Sequence, residues 1–124
     1  MARILLVDDD ADILEALSAL LLGEGYDVTA VANGHEALEY LRHSALPDVI
    51  LLDLMMPLMD GYEFRAQQMA DVDLARIPVI VLTAGTVGDR IAAMNVDGCF
   101  RKPCDNRALL AGIARSVQSG RSPR

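Results

Sequence analysis

Ile4-Leu5-Leu6-Val7-Asp8-Asp9-Asp10 and, further along, Val49-Ile50-Leu51-Leu52-Asp53 decide the fold and the chemistry together. Each stretch is a short aliphatic run, which reads as a buried strand, and each stops on carboxylates. A strand of this kind delivers charge to the rim of a sheet. Two of them side by side would crowd like charges into one small space, which is costly unless a cation binds or a proton is taken up. A divalent-metal site with a reactive carboxylate is therefore the first functional hypothesis. The plainer alternative is that Asp9 and Asp10 cap the following helix and Asp53 begins a turn.

Working outward, strands and helices alternate along the chain. Strands are predicted at Arg3–Val7, Asp27–Val31, Asp48–Leu52, Pro78–Leu82 and, more weakly, Cys99–Arg101. Ile13, Leu14, Leu17, Leu20 and Leu21 share one face of a first helix that stops at Gly23. Gly34 opens a second helix through Ala37, Leu38 and Leu41, and Asp60-Gly61 a third with Tyr62, Phe64, Arg65 and Met69. A short fourth is expected over about Asp89–Met94. A last one, capped by Asp105, carries Leu109, Leu110, Ile113 and Val117. Apolar strands separated by amphipathic helices imply a parallel sheet covered on both faces.

The chain of 124 residues is sized for a single domain, expected over 1–117, with 118–124 as a flexible tail or the start of a linker. Apolar residues make up 52% and Trp is absent, so the core must be aliphatic. A formal charge of −7 argues against nucleic acid or an anionic membrane as a partner of this domain. The apolar runs are too short to span a membrane, and the N-terminal one ends in acids, unlike a signal peptide. Cys99 and Cys104 lack metal-site spacing and read as reduced thiols of a cytoplasmic protein.

Right-handed crossovers and five strands leave few topologies, of which the flavodoxin-like order 2-1-3-4-5 is the commonest. That (βα)5 doubly wound sandwich sets strands 1 and 3 side by side, so Asp8 and Asp9 face Asp53 at the carboxyl edge. Thr83 and Lys102 close strands 4 and 5 at the same edge, where ligands of open α/β sheets bind. Ten of the eleven cationic side chains are Arg, and Lys102 is the sole Lys. Its compact ammonium suits a place beside a phosphoryl oxygen.

The chain resembles the receiver domain of two-component response regulators, the CheY-like family. The matching residues are Ile4 to Asp10, Asn33-Gly34-His35-Glu36-Ala37-Leu38, Asp53 to Gly61, Leu82-Thr83-Ala84 and Lys102-Pro103. They appear in order and cover residues 3 to about 117.

The resemblance implies that Asp53 accepts a phosphoryl group from a phosphohistidine on a sensor histidine kinase or phosphotransfer protein. It implies Mg²⁺ held by the side chains of Asp9 and Asp53 and the Met55 backbone carbonyl, with Asp8 acting through a bound water. Thr83 and Lys102 would hold phosphoryl oxygens, and the small Ala84 would leave the site open. The Lys102-Pro103 bond would be cis. The domain would assist its own phosphorylation and dephosphorylation without being a free-standing enzyme, and signal to a downstream protein or output domain.

The match departs from the family at Cys99, where an aromatic usually stands, at Asn95 for a glycine, at Cys104 for a Phe, and in a shortened 83–102 segment. Neighbouring strand residues face opposite ways, so Phe100 reads as core packing and not as a displaced switch. Output is then expected through Thr83 and Gly85-Thr86-Val87-Gly88. These departures keep one rival alive, a phosphorylation-independent interaction domain. A dehalogenase-type phosphatase would want an acid where Met55 stands, and three aspartates would repel the phosphate of a flavin.

Overall fold

Alternation within the strands builds two separate cores. The computed structural model describes residues 2–56, 58–84, 91, 93–102 and 105–121. Along the described chain run β1 (Arg3–Val7), α1 (Ala11–Gly23), β2 (Asp27–Val31), α2 (Gly34–His43), β3 (Val49–Asp53) and α3 (Gly61–Met69). A 3-10 turn (Leu74–Arg76), β4 (Val79–Thr83), β5 (Gly98–Arg101) and α4 (Asn106–Arg121) follow. Among the described residues five parallel strands form one sheet in the order β2-β1-β3-β4-β5. This is the flavodoxin-like doubly wound arrangement expected from the strand pattern.

Leu5, Val7, Ile50, Leu52, Val79 and Val81 point to one face and meet Ala37, Leu38 and Leu41 of α2 and Phe64 of α3. Their neighbours Ile4, Leu6, Val49, Leu51, Ile80 and Leu82 point to the other, against Leu21 of α1 and Leu109, Ile113 and Val117 of α4. A period of two in the sheet thus sorts the helices into two layers. Burying each of the larger of these side chains contributes about 1.5–3 kcal/mol. Cys99 and Phe100 obey the same rule. Cys99 packs with the first cluster, and Phe100 packs with the second.

Local chemistry sets the boundaries. Asp10 caps α1 by accepting the backbone N–H groups of Asp12 and Ile13 at 3.0 and 3.3 Å. Asn33 caps α2 through Glu36 N–H, and Asp60 caps α3 through Glu63 N–H, both at 2.9 Å. Asp105 accepts Arg107 N–H at the start of α4. Gly25, at φ +90°, turns the chain from α1 into β2.

Two predicted strands shift by one residue. β3 covers Val49–Asp53 instead of Asp48–Leu52, and β4 covers Val79–Thr83 instead of Pro78–Leu82. Pro78 has no N–H to give the ladder. Asp53 pairs in register with Leu82, and Thr83 with Arg101. Both residues are thereby held by the sheet itself. The 3-10 turn was not anticipated. The backbone stays helical through Arg121, past residue 118 where the tail was expected to begin. The expected fourth helix at 89–94 falls largely outside the described residues, as do the Gly85–Gly88 loop, Pro103 and Cys104.

Candidate phosphoryl and metal site

Parallel strands all end at one edge, and adjacent β1, β3 and β4 deliver Asp8, Asp53 and Thr83 there. Asp8 follows β1 directly, its N–H still donating to the Val31 carbonyl at 3.1 Å. Its carboxylate is buried and doubly engaged. Oδ1 accepts Asp10 N–H at 3.0 Å, and Oδ2 accepts Lys102 Nζ at 2.7 Å. Lys102 Nζ also lies 3.4 Å from Asp53 Oδ1. Asp9 is exposed. Carboxylate oxygens of Asp8, Asp9 and Asp53 all fall within 4.8 Å of one another.

Electrostatics follows from that crowding. Burial, and then the charge of Asp8, push the Asp53 carboxyl above its ordinary range, while Lys102 and the Met55 N–H pull it back only in part. Burial alone would lower the Lys102 ammonium, but its hydrogen bond to Asp8 and the charges of Asp53 and Asp8 outweigh this and raise it. Lys102 therefore stays protonated at neutral pH. Three carboxylates against one ammonium leave two negative charges uncompensated. An all-oxygen donor set with that deficit fits a hard divalent cation such as Mg²⁺.

The residues named from the sequence are thus brought together, with different standing. Asp8, Asp9, Asp53 and Lys102 form one cluster. Thr83 is buried at the same edge, and its carbonyl accepts Lys102 N–H at 2.7 Å. Met55 touches the Asp53 carboxylate through its N–H, and its side chain is exposed. Asp10 belongs to the helix cap, as the plainer alternative held for it.

Sequence reasoning missed the groups that hold the Asp53 loop. Gly61 N–H donates to the Leu54 carbonyl at 2.9 Å, and Gly34 N–H to the Met59 carbonyl at 3.1 Å. A Cβ on Gly61 would stand 2.7 Å from the Asp53 carbonyl oxygen, and one on Gly34 would stand 2.9 Å from the Met59 carbonyl oxygen. Their places in the matched motifs were the available signal. Between these anchors Leu58 takes φ +67° with 84% of its surface exposed. Beside Lys102 an apolar crevice of 470 Å³ runs between Ile13, Ala16 and Leu17 of α1 and Leu82, Ala84 and Asn106.

An acidic cluster opposed by a single lysine at the carboxyl edge of a doubly wound sheet defines the class. The model of the response regulator receiver domain matches residues 4–114, and the chain belongs to that family of two-component signalling domains. It is 40% identical over 126 residues to the transcriptional regulatory protein CpxR homolog of Haemophilus influenzae, covering 99% of this chain and 53% of that one. The chain spans about half the length of the curated relatives it matches.

Among solved structures, the receiver domain of a signal transduction histidine kinase from Syntrophus aciditrophicus superposes with a TM-score of 0.92 at 31% identity, covering 100% of this chain and 96% of that one. The receiver domain of sensor histidine kinase PA1611 from Pseudomonas aeruginosa, with a magnesium ion coordinated in its active-site cleft, gives 0.87 at 31% identity, covering 94% and 98%. Among the described residues no helix is long and apolar enough to cross a membrane.

Proposed function

We propose that this receiver domain is a working phosphoacceptor, in which Asp53 takes a phosphoryl group from a phosphohistidine on a sensor kinase or phosphotransfer protein. The observation that carries the reading is the placement of Lys102 Nζ, 2.7 Å from Asp8 and 3.4 Å from Asp53. An Asp53 carboxylate oxygen attacks phosphorus. The O–P bond forms as the N–P bond to the donor imidazole breaks, and the leaving nitrogen keeps the electron pair and takes a proton from water. Lys102 neutralises charge on the phosphoryl oxygens, and the Thr83 hydroxyl donates to another. Thr83 ends the buried strand β4 and its carbonyl accepts Lys102 N–H, so the groups are positioned before the donor arrives.

Asp9, Asp53 and the Met55 carbonyl would hold Mg²⁺, with Asp8 acting through a bound water, and the ion supplies further neutralisation of the phosphoryl oxygens when bound. The PA1611 neighbour supports that choice of ion. The crevice beside Lys102 offers an apolar surface for the donor protein.

Incubation with acetyl phosphate, with and without Mg²⁺, tests the proposal by intact mass. One phosphoryl adduct is expected, dependent on the cation and absent in Asp53→Asn. An adduct that persists in that variant would defeat the assignment.

A second reading, a phosphorylation-independent interaction domain, draws its support from Cys99, which packs against the first core cluster at the position where the family resemblance implies an aromatic. Equal partner affinity with and without an Asp53 phosphoryl mimic would favour it.

A further inference from the structure

Arg65 is a charged residue buried on α3. It stands one turn after Gly61, is only 6% exposed, and among the described residues forms no ion pair. Its guanidinium is spent on α3 itself and on backbone at the approach to β5. Nη1 donates to Gln68 Oε1 at 2.8 Å, Nε to the Met94 carbonyl at 3.1 Å, and Nη2 to the Asn95 carbonyl at 2.8 Å. Asn95 sits at φ +54°, a backbone conformation that Asn tolerates and most residues resist. Gln68, fully buried, extends the network to the Leu74 and Ile77 carbonyls at 2.9 and 3.1 Å. Asp97 pins the same approach to β4, exchanging 2.9 Å hydrogen bonds with Val79; burial lowers the Arg65 guanidinium from its ordinary range, and the charge of Asp97 offsets this only in part.

The position of this network gives it a purpose. β5 is a four-residue edge strand, partly exposed and paired on one side, and Lys102 follows it directly. At its other end α3 begins against the Asp53 carbonyl. One rigid helix therefore joins the Asp53 loop to the root of the strand that carries the ammonium. A leucine could fill the same space without desolvating a charge, so stability alone is a weak reason for an arginine there.

We infer that Arg65 is a positioning residue for Lys102. By forking onto the Met94 and Asn95 carbonyls it sets the edge strand against α3, and so holds the ammonium at contact distance from Asp8 and Asp53. The functional half of this inference rests on the phosphoacceptor reading; the geometric half does not.

The test uses Arg65→Met, and Arg65→Lys as the variant that keeps the charge but loses the fork. Each is made in the native background and with Lys102→Ala. Phosphorylation by acetyl phosphate should fall roughly tenfold to hundredfold in the native background, the cost of a displacement near 1 Å. With Lys102 already removed, the same change should matter by less than about twofold. Lys102 is the sole lysine of the chain, so its ammonium gives a single side-chain NMR signal, which should shift and exchange faster in both variants.

Equal fractional losses in the two backgrounds, an unchanged rate, or an unmoved ammonium signal would each overturn the inference. Should Arg65→Met fail to fold, Arg65→Lys carries the test in the same direction. Were the native protein to accept no phosphoryl group, the phosphoacceptor reading would fall while the ammonium signal still judged Arg65.

Discussion

Replacing Gly61 by Ala should damage stability and phosphorylation together, against the usual benefit of alanine in a helix. The added Cβ would lie 2.7 Å from the Asp53 carbonyl oxygen and 2.8 Å from both Cα and Cδ2 of Leu54. The nearest of these is about 0.7 Å inside ordinary contact, which begins near 3.4 Å. Two of the three atoms are backbone, at the strand end that carries Asp53, so swinging a side chain aside does not make room for the methyl. Overpacking of this kind costs about 1–3 kcal/mol, set against about 1 kcal/mol gained in helix propensity. A net loss of about 1 kcal/mol is expected.

The larger effect is chemical. Relief of the clash moves Asp53 away from Lys102, and a displacement approaching 1 Å costs up to about a hundredfold in rate. Urea denaturation and the acetyl phosphate reaction measure the two effects. Gly23→Ala is the matched control, since its Cβ would meet nothing within 4 Å, and it should be neutral or slightly stabilising with an unchanged rate. A Gly61→Ala protein as stable and as fast as the native one would refute the reasoning.

Mg²⁺ should stabilise the fold by about 2.7 kcal/mol at a hundredfold excess over its dissociation constant, read as a rise in melting temperature; no rise with Mg²⁺, Mn²⁺ or Ca²⁺ would count against the site. The pH dependence has a defined sign. Because the folded state raises the Asp53 carboxyl, its contribution to stability is present below its ordinary 3.8 and is lost as pH rises through the folded value. Metal-free Asp53→Asn should thus melt above the native protein at neutral pH, the gap closing as pH falls into the carboxylate range; a variant that melts lower at neutral pH contradicts this. Lys102 contributes below 10.5, and that contribution is lost as pH rises through its raised value. Asp10→Ala should cost about 1 kcal/mol by removing the α1 cap and leave phosphorylation intact, which separates Asp10 from the metal ligands in a denaturation and labelling pair.

Periodicity made most of this legible. The twofold repeat in the strands foretold the two cores and the opposite facing of Cys99 and Phe100. Carboxylates at strand ends foretold the acidic edge. What the pattern could not tell was which acid serves the cap, because Asp8, Asp9 and Asp10 look alike until the backbone of α1 turns toward one of them. The pattern places Arg65 on the third helix, but its burial and its carbonyl partners, lying 29 and 30 residues away, leave no local signal. Asn95 was noticed as a departure from glycine, and its positive φ supplies the physical reason for both residues. The left-handed Leu58 leaves no trace in the sequence, since bulky residues seldom adopt that conformation.

Borohydride trapping tests the central claim most directly. Reduction of an aspartyl phosphate converts that residue to homoserine, which peptide sequencing can place. After reaction with acetyl phosphate and Mg²⁺, homoserine is expected at position 53 alone. Homoserine at Asp8, Asp9 or Asp10, or none under conditions that label other receiver domains, would contradict the account.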